Sequence, residues 1–365
     1  MVARGERSSG RRGEMIRIAG GLLAGALLIG AAEPPWNWGD TKDRWNEGYA
    51  ESKAVCRNLR ARQPPEADRA RGPETAALKG CDSEALYYGI GMKADPVKAR
   101  QCALIEAQAA DPSEMQAPFA GNAMLMTIYA NGVGAARDLD LATSLACRID
   151  GAPAESDGRV LRLQRLKTEG WTGSDFHYCD DVTSGLAMGW CAGHGARIEG
   201  AARGTRIAAL VKEWSTNGQA AFVGLRAAQG AYAEAHSDGE IDASGTMRGV
   251  FWTAAGEKRA EEMVDLLEQL AGGTPPLPPA SAFAAADKAL NAAYRERLAA
   301  VRGEDHGTVT TGGVRTAQRA WLRYRDAFLA FAAAQYPAVP RDSLAAQLTR
   351  LRTEVLLGEE DGMGE

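Results

Sequence analysis

The stretch Val314-Arg-Thr-Ala-Gln-Arg-Ala-Trp-Leu-Arg-Tyr-Arg-Asp-Ala-Phe-Leu-Ala-Phe331 sets Val314, Ala317, Trp321, Tyr324, Phe328 and Phe331 at steps of 3, 4, 3, 4 and 3. A helix of 3.6 residues per turn brings all six to one side, giving an aromatic seam that neighbouring elements must cover. Upstream, Leu290, Tyr294, Leu298 and Val301 share one side of a second helix; downstream, Leu344, Leu348, Leu351 and Val355 share one side of a third. Three such faces close a small bundle. Further out, period-2 alternation is nearly absent, and Ala, Leu, Glu, Arg and Gln dominate the long segments. The predicted class is all-α, helix-pair repeats followed by one or two small three- or four-helix modules.

Breakers divide the chain. Pro153-Ala-Glu-Ser-Asp-Gly158 reads as a polar break, and Gly272-Gly-Thr-Pro-Pro-Leu-Pro-Pro279 as a linker, because four prolines cannot continue a helix. The expected order is a leader over 1–32, a helical repeat region over 33–152, a helical module over 159–270, a linker over 271–280, a second module over 281–357 and an acidic tail over 358–365. The leader is read from Arg11, Arg12 and Arg17 ahead of the apolar run Ile18 to Ala32. Fifteen residues are too few to span a bilayer comfortably, and small residues precede Glu33-Pro34-Pro35, which is the pattern of a cleavable secretory signal. The mature chain is expected to be soluble in the periplasm or cell envelope, with no stable membrane anchor.

Export implies an oxidising compartment, where six cysteines, Cys56, Cys81, Cys102, Cys147, Cys179 and Cys191, favour disulfides. The turn near Lys93 places Cys81 and Cys102 at similar heights on two helical arms, so these are the first expected pair, with Cys179 and Cys191 the second. His177, Cys179, Cys191 and His194 have the composition of a zinc site but not a finger spacing, and a disulfide is the expected outcome. Asp180 and Ser184 read as helix caps or turn formers. A Gly-x-Ser-x-Gly elbow, a phosphate loop and a His-Glu-x-x-His helix are all missing, so no catalytic, cofactor or metal residue is predicted.

Charge narrows the partners. The net charge is −5 for the whole chain. Beyond residue 32 it is −8, from 37 Lys and Arg against 45 Asp and Glu; residues 281–357 carry +4. Without a long basic block, nucleic acid is excluded as the expected partner.

Two stretches between Ser83 and Ile149 correspond. Leu86-Tyr-Tyr-Gly-Ile-Gly91 leads to Asp95-Pro-Val-Lys-Ala99, and Met124-Leu-Met-Thr-Ile-Tyr-Ala-Asn-Gly132 leads to Asp138-Leu-Asp-Leu-Ala142. Each reads as a helix stopped by glycine, then an aspartate cap and a second helix; the first copy reads as shorter in its loop. Tyr129-Ala-Asn-Gly-Val-Gly-Ala-Ala-Arg-Asp-Leu-Asp-Leu-Ala142 resembles the Sel-like, tetratricopeptide-related repeat. That resemblance covers about residues 83–150 and implies a concave surface for other proteins.

Asp287-Lys-Ala-Leu-Asn-Ala-Ala-Tyr294, Ala317-Gln-Arg-Ala-Trp-Leu-Arg-Tyr-Arg-Asp326 and Thr349-Arg-Leu-Arg-Thr-Glu-Val-Leu356 together resemble the LprI lysozyme-inhibitor domain family. The resemblance sets Leu290, Asn291, Tyr294, Gln318, Trp321, Tyr324, Arg325, Asp326, Thr349, Arg352 and Leu356 on the family pattern. Many members have paired cysteines, one shortly after the Arg-Asp pair; this chain has Phe328 there and no cysteine in the module. Leu225-Arg-Ala-Ala-Gln-Gly-Ala-Tyr232 sets Gln229 and an aromatic at the spacing of Gln318 and Trp321, 89 residues earlier, so residues 185–270 read as a degenerate second copy.

The candidate partner-binding or helix-bracing residues are Asn291, Tyr294, Gln318, Trp321, Tyr324, Arg325, Asp326 and Arg352. Arg325 and Asp326 are adjacent and point to different sides of their helix, and Arg352 is the expected complement of Asp326. The expected function is that of an exported, non-enzymatic binding protein of the bacterial envelope. By resemblance, it inhibits a lysozyme-type muramidase. The alternative is a periplasmic interaction scaffold built on the Sel-like repeats, with no lysozyme inhibition.

Overall fold

The computed structural model describes residues 36–42, 48–110, 117–273, 275, 277–303 and 307–358; the expected leader and residues 359–365 lie outside them. Among the described residues every regular element is helical. Seven α-helices come first: α1 (Ala50–Leu59), α2 (Pro73–Ala77), α3 (Ser83–Tyr88), α4 (Pro96–Ala109), α5 (Gly121–Asn131), α6 (Leu139–Ala146) and α7 (Pro153–Thr168).

Helix α5 is the axis of a first core. All its residues except Asn122 are buried, with α4 and α6 packed on it. The two related hairpins have the same hydrogen bonds 43 residues apart. Gly89 and Gly132 end α3 and α5 in left-handed turns, their N–H groups bonded to Ala85 and Ile128 carbonyls. Asp95 and Asp138 cap α4 and α6, accepting from the N–H of Lys98 and Leu141. Ala99 and Ala142 are both fully buried at the helix contacts. The first loop is therefore not the shorter one, since Gly91 and Gly134, both at positive φ, also stand 43 apart.

Pro153 to Gly158, expected as a break, instead opens α7. Proline occupies the first turn, where its missing N–H has no helical acceptor to lose, and Glu155 accepts from the N–H of Ala152. Val160 and Leu163 of α7, with Phe176 and Tyr178 beyond it, complete the first core, which thus runs past residue 152. Disulfides Cys56–Cys147, Cys81–Cys102 and Cys179–Cys191 hold this half.

Six longer helices follow: α8 (Gly185–Lys212), α9 (Thr216–Glu240), α10 (Arg248–Ala271), α11 (Phe283–Gly303), α12 (Thr311–Gln335) and α13 (Arg341–Leu357). Helix α8 begins at the first core, where Cys191 packs, and ends on a second, where Ile207, Leu210 and Val211 pack. In that second core α9 lies antiparallel along α12, α8 packs on α10 and α11 packs on α13. Trp214, Phe222 and Phe331 meet edge to face at one end, and Tyr232 stacks on Tyr324 near the other. The proline linker separates α10 from α11 without dividing the core, because Leu266, Leu267, Leu270 and Leu277 pack in the same cluster as Leu290 and Trp321. On α13 the buried face is Leu344, Leu348, Arg352 and Leu356. Leu351 and Val355, expected there, are only half-buried, because the guanidinium of Arg352 is drawn inward.

Contact between α9 and α12 depends on two glycines. A Cβ on Gly313 would lie 2.5 Å from the Gly239 carbonyl oxygen, and one on Gly239 would lie 2.8 Å from Gly313 backbone atoms. Gly313→Ala is expected to destabilise the protein by about 1–3 kcal/mol through forced separation of the helices. Gly224→Ala, mid-helix in open space, should stabilise it by roughly 0.5–1 kcal/mol. Denaturant unfolding of the two variants measures both, and equal effects would refute the close-contact explanation.

Candidate functional site

Arg352 is buried to 1% exposure, where an unpaired guanidinium would be very costly. Its Nη1 and Nη2 donate to Glu240 Oε2 and Oε1 at 2.7 and 2.6 Å, its Nε donates to Gln318 Oε1 at 2.9 Å, and Nη1 also reaches the Tyr232 hydroxyl at 3.3 Å. Glu240 Oε2 additionally accepts from His236 Nδ1 at 2.8 Å. This forked geometry is the strongest arrangement available to an Arg–carboxylate pair. Burial by itself would raise the Glu240 carboxyl, but Arg352 and His236 beside it hold it at about 2.

The expected pairing of Arg352 with Asp326 does not form. Asp326 faces solvent and accepts from its neighbour Arg325 at 2.9 Å, while Arg325 lies over the Trp321 ring. Helix α13 meets α12 on the side bearing Gln318, and the acidic partner comes from α9. Of the candidate residues, Gln318 and Arg352 are brought together, Trp321 and Tyr324 are core, and Tyr294 packs at the core edge. Asn291 is exposed and bonds Asp287 on its own helix. Glu240 and His236 were missed from the sequence; their four-residue spacing on one helix was the available clue.

Among the described residues, the start of α10 carries the most exposed aromatic surface, with Phe251 and Trp252 each 43% exposed. A depression of about 450 Å³ lies beside it over the α8–α10 contact, lined by Leu186, Trp190, Arg248 and Trp252. Leu186 is 51% exposed, and the Trp252 indole is fixed by donating to Asp238 Oδ1 at 2.7 Å. On the other side, a cavity of about 510 Å³ is lined by His236, Glu240, Phe251, Lys258, Arg297 and Leu357. Farther along, Arg206 on α8 bonds Glu261, Asp265 and Glu268 on α10, and Arg203 bonds Glu257, so an acidic row edges this face.

A second polar cluster joins α3, α8 and the turn before α8. The N–H of Cys179 donates to His177 Nδ1, which places that ring's proton on Nε2. His177 Nε2 then donates to His194 Nε2 at 3.2 Å, and His194 Nδ1 donates to Glu84 Oε1. Burial lowers both imidazoles, His194 to about 4, so both are neutral at pH 7. Arg197 pairs with Glu84 and Asp82, Asp180 accepts from Arg162 and from the His177 N–H, and Ser184 caps α8. The imidazoles are thus spent on a hydrogen-bond chain. Cys81, Cys102 and Glu106 are the only metal-type group among the described residues, and its two sulfurs are bonded to each other.

Comparison with protein-family models matches residues 280–356 to the family described as Lysozyme inhibitor LprI. The matched span comprises the turn before α11, the whole of α11 and α12, and nearly all of α13. This C-terminal helical segment is similar to that family. No curated protein and no solved structure matches the chain.

The depressed Glu240 carboxyl fixes an acid dependence. Its folded value, about 2, lies below the ordinary 4.5, so the stability it contributes is complete above about pH 4.5 and is lost as pH falls toward 2. The expected loss is on the order of 3 kcal/mol over that window. Glu240→Gln should be less stable at pH 7 and flatter between pH 4.5 and 2 in denaturant titrations; an equally steep profile would place the acid sensitivity elsewhere.

Proposed function

We propose that this chain is an exported, non-enzymatic binding protein of the bacterial envelope that docks a lysozyme-type muramidase and covers its substrate cleft. The match of residues 280–356 to the lysozyme-inhibitor family carries this reading. Three disulfides suit an oxidising compartment. Among the described residues no helix is long and apolar enough to cross a membrane. The excess of acidic residues favours encounter with a cationic enzyme. Trp252 and Leu186, solvent-facing beside a depression, have the character of interface anchors.

Helices α8 to α10 are proposed as the degenerate second copy. Packing of α8 on α10 parallels packing of α11 on α13, with α9 against α12 between them. Gln229 and Gln318, 89 residues apart, are both buried. At the same offset, Met263 stands where Arg352 does, so the guanidinium from which Gln318 Oε1 accepts has no counterpart at that position.

The alternative, a scaffold built on Sel-like repeats, is favoured by the matching hairpins of the first core. Lysis of a cell-wall suspension by a cationic lysozyme separates the two. Micromolar protein should slow lysis, and Trp252→Ala combined with Leu186→Ser should weaken inhibition at least about ten-fold. An unchanged lysis rate would overturn the inhibitor reading and leave the scaffold.

A further inference from the structure

The 510 Å³ cavity is separate from the Leu186–Trp252 surface, and its walls divide by chemistry. Phe251, Ala254, Ala255, Val355 and Leu357 form an apolar side. Two of these, Phe251 and Leu357, are each 43% exposed, which leaves large apolar side chains uncovered in a concave place. Lys258, Arg259 and Arg297 also line it.

The charges there are largely matched already. Glu240 is held by Arg352 and His236. Arg259 pairs with Glu262 at 2.7 Å. Asp242 accepts from Ser244 and Thr308, and those hydrogen bonds hold it at about 2. His236 has its Nδ1 on Glu240, leaving Nε2 as the ring's remaining polar atom. Arg297 is different, for its guanidinium makes no hydrogen bond or ion pair with any described residue although it is half-buried. One uncompensated, permanently charged fork beside an apolar wall matches a monoanion with a hydrocarbon body better than a phosphate dianion. The volume is that of a small-molecule site.

We propose that the cavity between α9, α10, α11 and α13 binds an amphipathic carboxylate, its apolar part against Phe251 and Leu357 and its head group on Arg297. The site is independent of muramidase docking, so the test uses binding alone. The full chain is titrated calorimetrically with decanoate below its micelle concentration, and in parallel with decanol and with acetate. Decanoate should bind one site at least ten-fold more tightly than either. Arg297→Glu should weaken decanoate at least ten-fold with its unliganded melting temperature unchanged, Arg297→Lys should retain part of the affinity, and Phe251→Ser should weaken decanoate and decanol alike. Equal affinity for decanoate and decanol would overturn the proposal. So would an Arg297→Glu protein that melts normally and binds decanoate as before. A chain ending at Gly358 should bind as the full chain does; binding seen only after residues 359–365 are removed would assign the cavity to the acidic tail and sink the proposal.

Discussion

The second core depends on one guanidinium withdrawn from water. Removing Arg352 from solvent costs several kcal/mol, and the fork onto Glu240 offsets this only when α9, α12 and α13 meet in one register. Leucine faces alone tolerate sliding, because apolar contact has no direction. A buried bidentate pair does not tolerate it. Gln318 and Tyr232 complete the set of acceptors around the guanidinium from two further positions, so the side chains fix the angle at which three helices converge.

That interaction also decides what the family match describes. Arg352 and Gln318 lie inside residues 280–356, whereas Glu240, His236 and Tyr232 lie outside, on α9. The matched segment is completed by the helix upstream of the proline linker, and Leu266, Leu267 and Leu270 of α10 share its core. The first half of the chain is held differently. A short central helix buried nearly all round gives a small core, and Cys56–Cys147 closes a loop of 91 residues around it. Covalent closure of long loops removes much of the unfolded chain's freedom, which suits a region of short helices.

Much of this was legible in the sequence because it rests on local periodicity. The aromatic seam of α12, the 43-residue spacing of glycine and aspartate caps, and the level placement of Cys81 and Cys102 all follow from residues close in sequence. What was not legible depends on partners far along the chain. Asp326 was the charged neighbour that sequence logic offered to Arg352, yet the partner came from Glu240, 112 residues away. Leu351 and Val355 gave way to Arg352 and Leu356 on the buried face of α13 for the same reason. Pro153 reads as a breaker anywhere but in a first helical turn, and only the structure shows that it stands in one. The His177–His194–Glu84 chain was invisible because Glu84 and His194 are 110 residues apart.

Helix α8 touches both cores without interruption, and the Cys179–Cys191 bridge pins it near its start. From Cys191 to Lys212 the helix rises by roughly 30 Å, so a tilt of about 5° at the bridge displaces its far end by about 3 Å. The bridge therefore sets the direction in which α8 leaves the first core, and its packing on α10 holds that direction to the far end. Leu186 and Trp190 stand before the bridge and Leu210 and Val211 far beyond it, so one unbroken rod joins the open surface at its start to the second core at its end.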